Sequence, residues 1–181
     1  PLRADQVKSG LALILLGLFK KVAIADALAP FVDETFTNAA SSSWLVLLAG
    51  AYAFALQIYG DFAGYSDVAR GSSRLLGIEL PLNFEQPYLS RNITVFWRTW
   101  HISLSNWLRD YLYIPLGGNR SGTSKTYRNL MLTMVLGGLW HGAAWTFVAW
   151  GTLHGLYLCA HRAFTERPGG AGAAHNKVGR F

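Results

Sequence analysis

The chain has 181 residues, of which 51% are hydrophobic and only 14% charged, with 16 Lys and Arg against 10 Asp and Glu and a formal net charge of +6. This is oilier than an ordinary soluble domain of its size, and a membrane is the first expectation. The basic residues flank apolar runs and form no tract interleaved with aromatics, which argues against nucleic acid and for anionic lipid or an anionic ligand; one cysteine, Cys159, excludes an internal disulfide framework or a cysteine-based metal site.

The first apolar block, residues 10–29, has about the length of one bilayer crossing but contains Lys20 and Lys21. Those lysines would have to snorkel to an interface, which predicts a helix that tilts or ends near them. The second block, residues 41–60, carries no charge and matches the roughly 20 residues that cross hydrocarbon. The third, residues 129–160, has no Asp, Glu, Lys or Arg, and Gly137, Gly138 and Gly142 fall in its first half. Helix propensity is weakest there. The pattern predicts a short or broken helix, a Gly-rich break around His141, and a further helix from about Ala143 to Arg162. Seven Trp and eight Tyr suit a membrane interface, as they also suit a soluble core.

Between the second and third blocks lies a more polar stretch. Ile93, Phe96, Trp97, Trp100, Leu104, Trp107, Leu108 and Tyr111 recur at helical spacing, which predicts one amphipathic helix, interfacial or re-entrant. At 100° per residue, Arg98, His101, Ser105 and Arg109 would share one edge of its stripe. "PLGGNRSG" ends that helix; as an alternative, its Gly-Gly turn forms an anion nest. Residues 165–181 are small and polar and read as a linker or tail, leaving 1–164 as the folded core. The chain starts at Pro1 without a cleavable signal and reads as a piece of a longer protein. No G-x-S-x-G, H-E-x-x-H, Walker or G-x-G-x-x-G motif is present.

Four stretches, "GLFKKVAIAD" (17–26), "DFAGYSDVARG" (61–71), "LPLNFEQPYLSRNITVFWRTWHISLSNWLRDYLYIPLGGNR" (80–120) and "YRNLMLTMVLGGLWHGAAWTFVAWGTLHG" (127–155), together resemble the membrane-bound O-acyltransferase superfamily, most of all its alginate O-acetyltransferase group. Glu85 and Thr99 depart from the usual wording of those motifs. The resemblance implies an all-α, multi-pass helical bundle of the bacterial cytoplasmic membrane. It implies transfer of an acyl group from a thioester, with acetyl-CoA as donor and no bound cofactor, to hydroxyls of an exported or cell-surface polysaccharide or to a periplasmic acyl-accepting partner protein. Related D-alanyl transferases of teichoic acid synthesis share the two histidine motifs. The alternatives are therefore D-alanyl transfer and a non-catalytic channel or export component whose buried histidines line a polar path.

Acyl transfer to a hydroxyl needs a base for the hydroxyl proton, and a neutral imidazole has a suitable pKa. His141, in an uncharged block and beside Gly138 and Gly142, is the expected base. A histidine that only hydrogen-bonds between helices is the competing reading. The resemblance makes His101 the second signature histidine, in support of His141. Arg98, Ser105, Arg109 and Trp140 are the expected substrate-binding residues, although each arginine by itself suits lipid phosphate or structural pairing as well. Asp110 is expected to pair with its neighbour Arg109. His154 and Cys159, five apart, point about 140° away from each other on a helix and make a poor dyad. His154 and His161 share a face without a third ligand, so packing is the expectation and no metal is assigned.

If residues 41–60 and much of 129–160 lie in the bilayer, single cysteines placed at Leu47 and Met134 will be protected from a membrane-impermeant thiol reagent in intact membranes. Free labelling of both would remove the membrane assignment.

Overall fold

A computed structural model describes residues 3–120 and 122–165, so the expected tail falls, from residue 166 on, outside the described residues. The described residues are helical and contain no β-strand, in keeping with the all-α expectation. The chain divides into two compact units, residues 1–83 and 84–181.

In the first unit α1 (Ala4–Leu18) runs into a π-helical stretch (Phe19–Asp26) and on into α2 (Ala27–Thr37) without a break in helical backbone. α1 starts where the Arg3 backbone N–H donates to Gln6 Oε1 at 3.1 Å. The antiparallel α3 (Trp44–Leu75) starts at Ser43, whose hydroxyl accepts the Val46 N–H. α3 is the one helix among the described residues long and apolar enough to cross a membrane. The apolar window at 41–60 marks only its first half. The helix continues through Asp61, Asp67, Arg70 and Arg74, because those residues find partners instead of breaking it.

Small residues hold α1 and α3 together. A Cβ on Gly17 would meet the Gly64 carbonyl oxygen at 2.5 Å, and one on Gly64 would meet the Gly17 oxygen at 2.7 Å. One heptad away, a Cβ on Gly71 would meet the Gly10 oxygen at 2.5 Å. The backbones touch at these crossings, which only glycine allows. That proximity puts Lys20 in reach of α3. Its Nζ lies 2.6 Å from Asp67 Oδ2, with the two side chains 21% and 10% exposed, and Arg70 meets the other carboxylate oxygen at 3.5 Å. Lys21 bridges Asp26 at 2.8 Å and Asp61 at 2.7 Å. The expected helix end near these lysines is thus corrected. The helical backbone continues through them, and carboxylates on the same and the neighbouring helix pair with their ammonium groups.

In the second unit a 3₁₀ turn (Pro87–Leu89) precedes α4 (Ile93–Thr99), α5 (Ile102–Leu108) and a π-helical turn (Arg109–Tyr113), followed by α6 (Thr123–His141) and α7 (Trp145–Thr165). Asn92 caps α4 by accepting the Val95 N–H at 2.9 Å. α6 and α7 are the expected broken pair, antiparallel and again joined through glycine. A Cβ on Gly138 would strike the Phe147 carbonyl and one on Gly151 that of Met134. Trp97, Tyr113, Leu130, Met134 and Leu158 form the core, bordered by Phe96, Trp100, Tyr127 and Trp150.

The single amphipathic helix expected over 93–111 is not formed. The backbone leaves the helix at Trp100, enters the left-handed region at His101 (φ 43°) and restarts at Ile102. The break splits the apolar stripe, burying Trp97 while leaving Trp107 and Tyr111 exposed, and the spacing of residues in the chain records none of this because it assumes an unbroken helix.

The Asp67 carboxylate is shared by two cations, whereas Lys20 is one of two partners of Asp67. Asp67→Asn is therefore expected to cost about 3–5 kcal/mol of stability, and Lys20→Met clearly less, because Arg70 remains beside the carboxylate. Thermal inactivation of the two variants in detergent, compared with wild type, checks the order.

Candidate active site

The site lies in the second unit and grows from two chain breaks. At the first, α4 ends with its last carbonyls taken by neighbours: Glu85 N–H donates to the Thr99 oxygen at 2.9 Å and the Ser105 hydroxyl to the Trp100 oxygen at 3.0 Å. Glu85 and Thr99, the two departures from the family wording, thus meet through the backbone. The His101 carbonyl accepts from Ser105 N–H at 2.9 Å, and Ser103 Oγ lies 3.4 Å from His101 Nδ1. A non-glycine residue in the left-handed region costs about 1–2 kcal/mol, and such strain clusters at functional sites. Here it turns the half-buried His101 ring toward Phe84 (6.3 Å) and Trp140 (6.4 Å).

The second break follows α6. His141 is its last residue, and Gly142 N–H donates back to the Leu139 carbonyl at 3.2 Å. A Cβ on Gly142 would meet the Phe147 ring at 2.7 Å, so glycine lets that ring lie against the break. The exposed His141 imidazole is held among Trp140 (5.1 Å), Phe147 (stacked, 6.0 Å) and Trp150 (edge-to-face, 5.2 Å). Trp140 touches both histidines, which are near enough to interact electrostatically. An accessible imidazole in an aromatic surround is equipped to take a proton from a hydroxyl, while the space beside Gly138 and Gly142 is taken by the Phe147 carbonyl and ring.

The other expected site residues separate. Ser105 and Arg109 line a small groove of about 40 Å³, walled by Trp97, Leu108, Met134 and Leu158. Arg98 stands exposed on α4 and, like His101, is not part of that wall. The common edge expected for Arg98, His101, Ser105 and Arg109 is broken with the helix that would have carried it. Arg109 donates to both oxygens of Asp110 at 2.7 and 3.1 Å, the expected local pair, and this guanidinium holds the Asp110 carboxyl below the ordinary carboxylate range.

The Gly-Gly turn is a helix stop. Gly117 N–H donates to the Ile114 oxygen and Gly118 N–H to the Tyr113 oxygen, both at 2.9 Å, so these donors serve the chain and leave no anion nest. Its carbonyls are taken by Asn129, a fully buried residue whose Nδ2 donates to Leu116 and Gly118 oxygens at 3.0 Å each. Sequence reasoning saw Asn129 only as the first residue of an apolar block; a buried amide there was the available signal. Cys159 approaches the Tyr127 carbonyl at 3.8 Å, and His161 Nδ1 lies 3.2 Å from Thr94 Oγ1. His154, in contrast, sits among Phe96, Trp97, Trp150 and Tyr157.

Of the two breaks, the one after His141 was expected from the sequence and the one at His101 was not. The chain belongs to the membrane-bound O-acyltransferase (MBOAT) family, whose sequence profile matches residues 3–167. Among curated proteins it is 54% identical over 162 residues to the probable alginate O-acetylase of Azotobacter vinelandii, covering 88% of this chain and 32% of that protein. It is 50% identical over 157 residues to the peptidoglycan O-acetyltransferase of Helicobacter pylori (87% and 30%). To the teichoic acid D-alanyltransferase of Bacillus subtilis it is 31% identical over 172 residues (90% and 43%). The chain thus spans about a third of the length of the acetylating relatives it matches.

His101→Gly removes the imidazole and relieves the left-handed strain together. Thermal stability is expected to hold or rise, while acyl transfer per folded molecule falls strongly. A parallel fall in both would make His101 a structural residue.

Proposed function

We propose that the protein, as a multi-pass enzyme of the bacterial cytoplasmic membrane, moves an acetyl group from acetyl-CoA to hydroxyls of an exported or cell-surface polysaccharide, directly or by way of a periplasmic acyl-accepting protein. The observation that carries this reading is His141 at the open end of α6, braced by Phe147 and Trp150 and joined to His101 across Trp140. His141 takes the proton of the acceptor hydroxyl as its oxygen attacks the thioester carbonyl. The carbon–sulfur bond then breaks, and the departing thiolate takes up a proton. His101 supports the base, and the aromatic rings around His141 hold its imidazole in place. Acetyl is favoured over D-alanyl because O-acetyl-transferring relatives reach 50–54% identity where the D-alanyltransferase reaches 31%.

Asparagine hydrogen-bonds in place of an imidazole but accepts no proton at neutral pH. In membranes carrying the full chain, His141→Asn is expected to keep protein abundance and polymer export while lowering labelled-acetyl transfer by about 10²–10⁴-fold. Near-wild-type transfer would remove His141 as the base. Transfer of D-alanine in place of acetate by the wild-type protein would reassign the acyl group.

A further inference from the structure

Two polar atoms beside the site lie buried without a hydrogen-bond partner among the described residues: Nε1 of Trp97 and Nδ1 of His154. Their rings are in edge-to-face contact, with centroids 5.2 Å apart at 82°. The indole N–H can only donate, whereas an imidazole nitrogen accepts in one tautomer. Each atom unpaired carries a desolvation cost that a phenylalanine at the same position would avoid with its ring contacts intact. A donor and a competent acceptor, both unpartnered, on touching rings, are complementary to each other. A His154 ring orientation that brings Nδ1 to the indole N–H would satisfy both.

The consequence of such a bond reaches His141. His154 packs on the Trp150 indole at 4.7 Å, the shortest ring separation in this cluster, and Trp97 meets the same indole edge-to-face at 5.7 Å. Trp150 is in turn the wall against which the His141 imidazole rests at 5.2 Å. Phe96, stacked on His154 at 6.4 Å, and Tyr157 at 6.2 Å confine the ring from other sides.

We propose that His154 is a positioning residue for His141: its Nδ1 accepts the Trp97 indole N–H, and the ring so fixed clamps Trp150 in the place that orients the His141 imidazole. The bond puts the remaining ring proton of neutral His154 on Nε2 and sets the ring orientation. A wall displaced by about 1 Å is enough to cost up to about 10²-fold in rate, since base and hydroxyl must meet at hydrogen-bond distance. The proposal rests on His141 acting as the base.

The test uses the full chain in membranes, with labelled acetyl-CoA and polysaccharide acceptor, each variant normalised to protein that stays monodisperse in detergent. His154→Phe and Trp97→Phe keep the rings and remove the nitrogens. Each is expected to lower kcat by about 10–100-fold with the acceptor KM nearly unchanged. The double variant is expected to fall no further than the lower single one, because both lose the same bond. His154→Asn, which places an amide oxygen near the Nδ1 position, is expected to recover part of the kcat lost in His154→Phe. Wild-type kcat in His154→Phe, additive losses in the double variant, or no recovery with asparagine would each overturn the proposal. His141→Asn in the same assay separates the two claims: if it stays active, the base assignment fails; if it is inactive and His154→Phe is normal, only the positioning role fails.

Discussion

Backbone-to-backbone contact at glycine is the constraint on which both units depend. Lipid tails are as apolar as leucine, so helices in a bilayer gain little by hiding apolar side chains from their surroundings; close packing and polar pairing hold them together instead. Gly17 against Gly64, and Gly10 against Gly71, bring α1 and α3 within that range, and Gly138 and Gly151 do the same for α6 and α7. Larger side chains at these positions would separate the helices. The Lys20–Asp67 pair would then lose its contact, and His141 would lose the walls that α7 supplies.

Within the second unit, charge and aromatic surface are divided between neighbouring places. Arg109 is committed to Asp110 beside the small apolar groove, while the histidines lie among rings. Aromatic faces confine an imidazole geometrically without supplying a carboxylate that would hold it protonated. The backbone contributes as much as the side chains. His101 reaches Trp140 only because it occupies a left-handed conformation, and His141 is open only because α6 stops at it. Each break is held by hydrogen bonds that close the helix ends: Ser105 and Glu85 at the first, Gly142 at the second.

Much of this was legible in the chain itself. Lack of charge over 41–60 announced the long apolar α3, glycines near 137–142 announced the break at His141, and the motif wording led to the family. These are local properties: propensity and hydropathy act on neighbours in sequence, and a string of residues records them directly. Tertiary structure alone decided the rest. Periodicity ran unbroken across Trp100 and His101, so the left-handed turn was invisible to it. Lys20 looked like an interruption until Asp67, forty-seven residues away, lay beside it. His154 looked like a packing residue until the fold buried its Nδ1 without a partner among the described residues and set its ring between those of Trp97 and Trp150. Whether a charge is paired, a helix end closed or a polar atom orphaned depends on which distant segments meet, and a linear pattern carries no term for that.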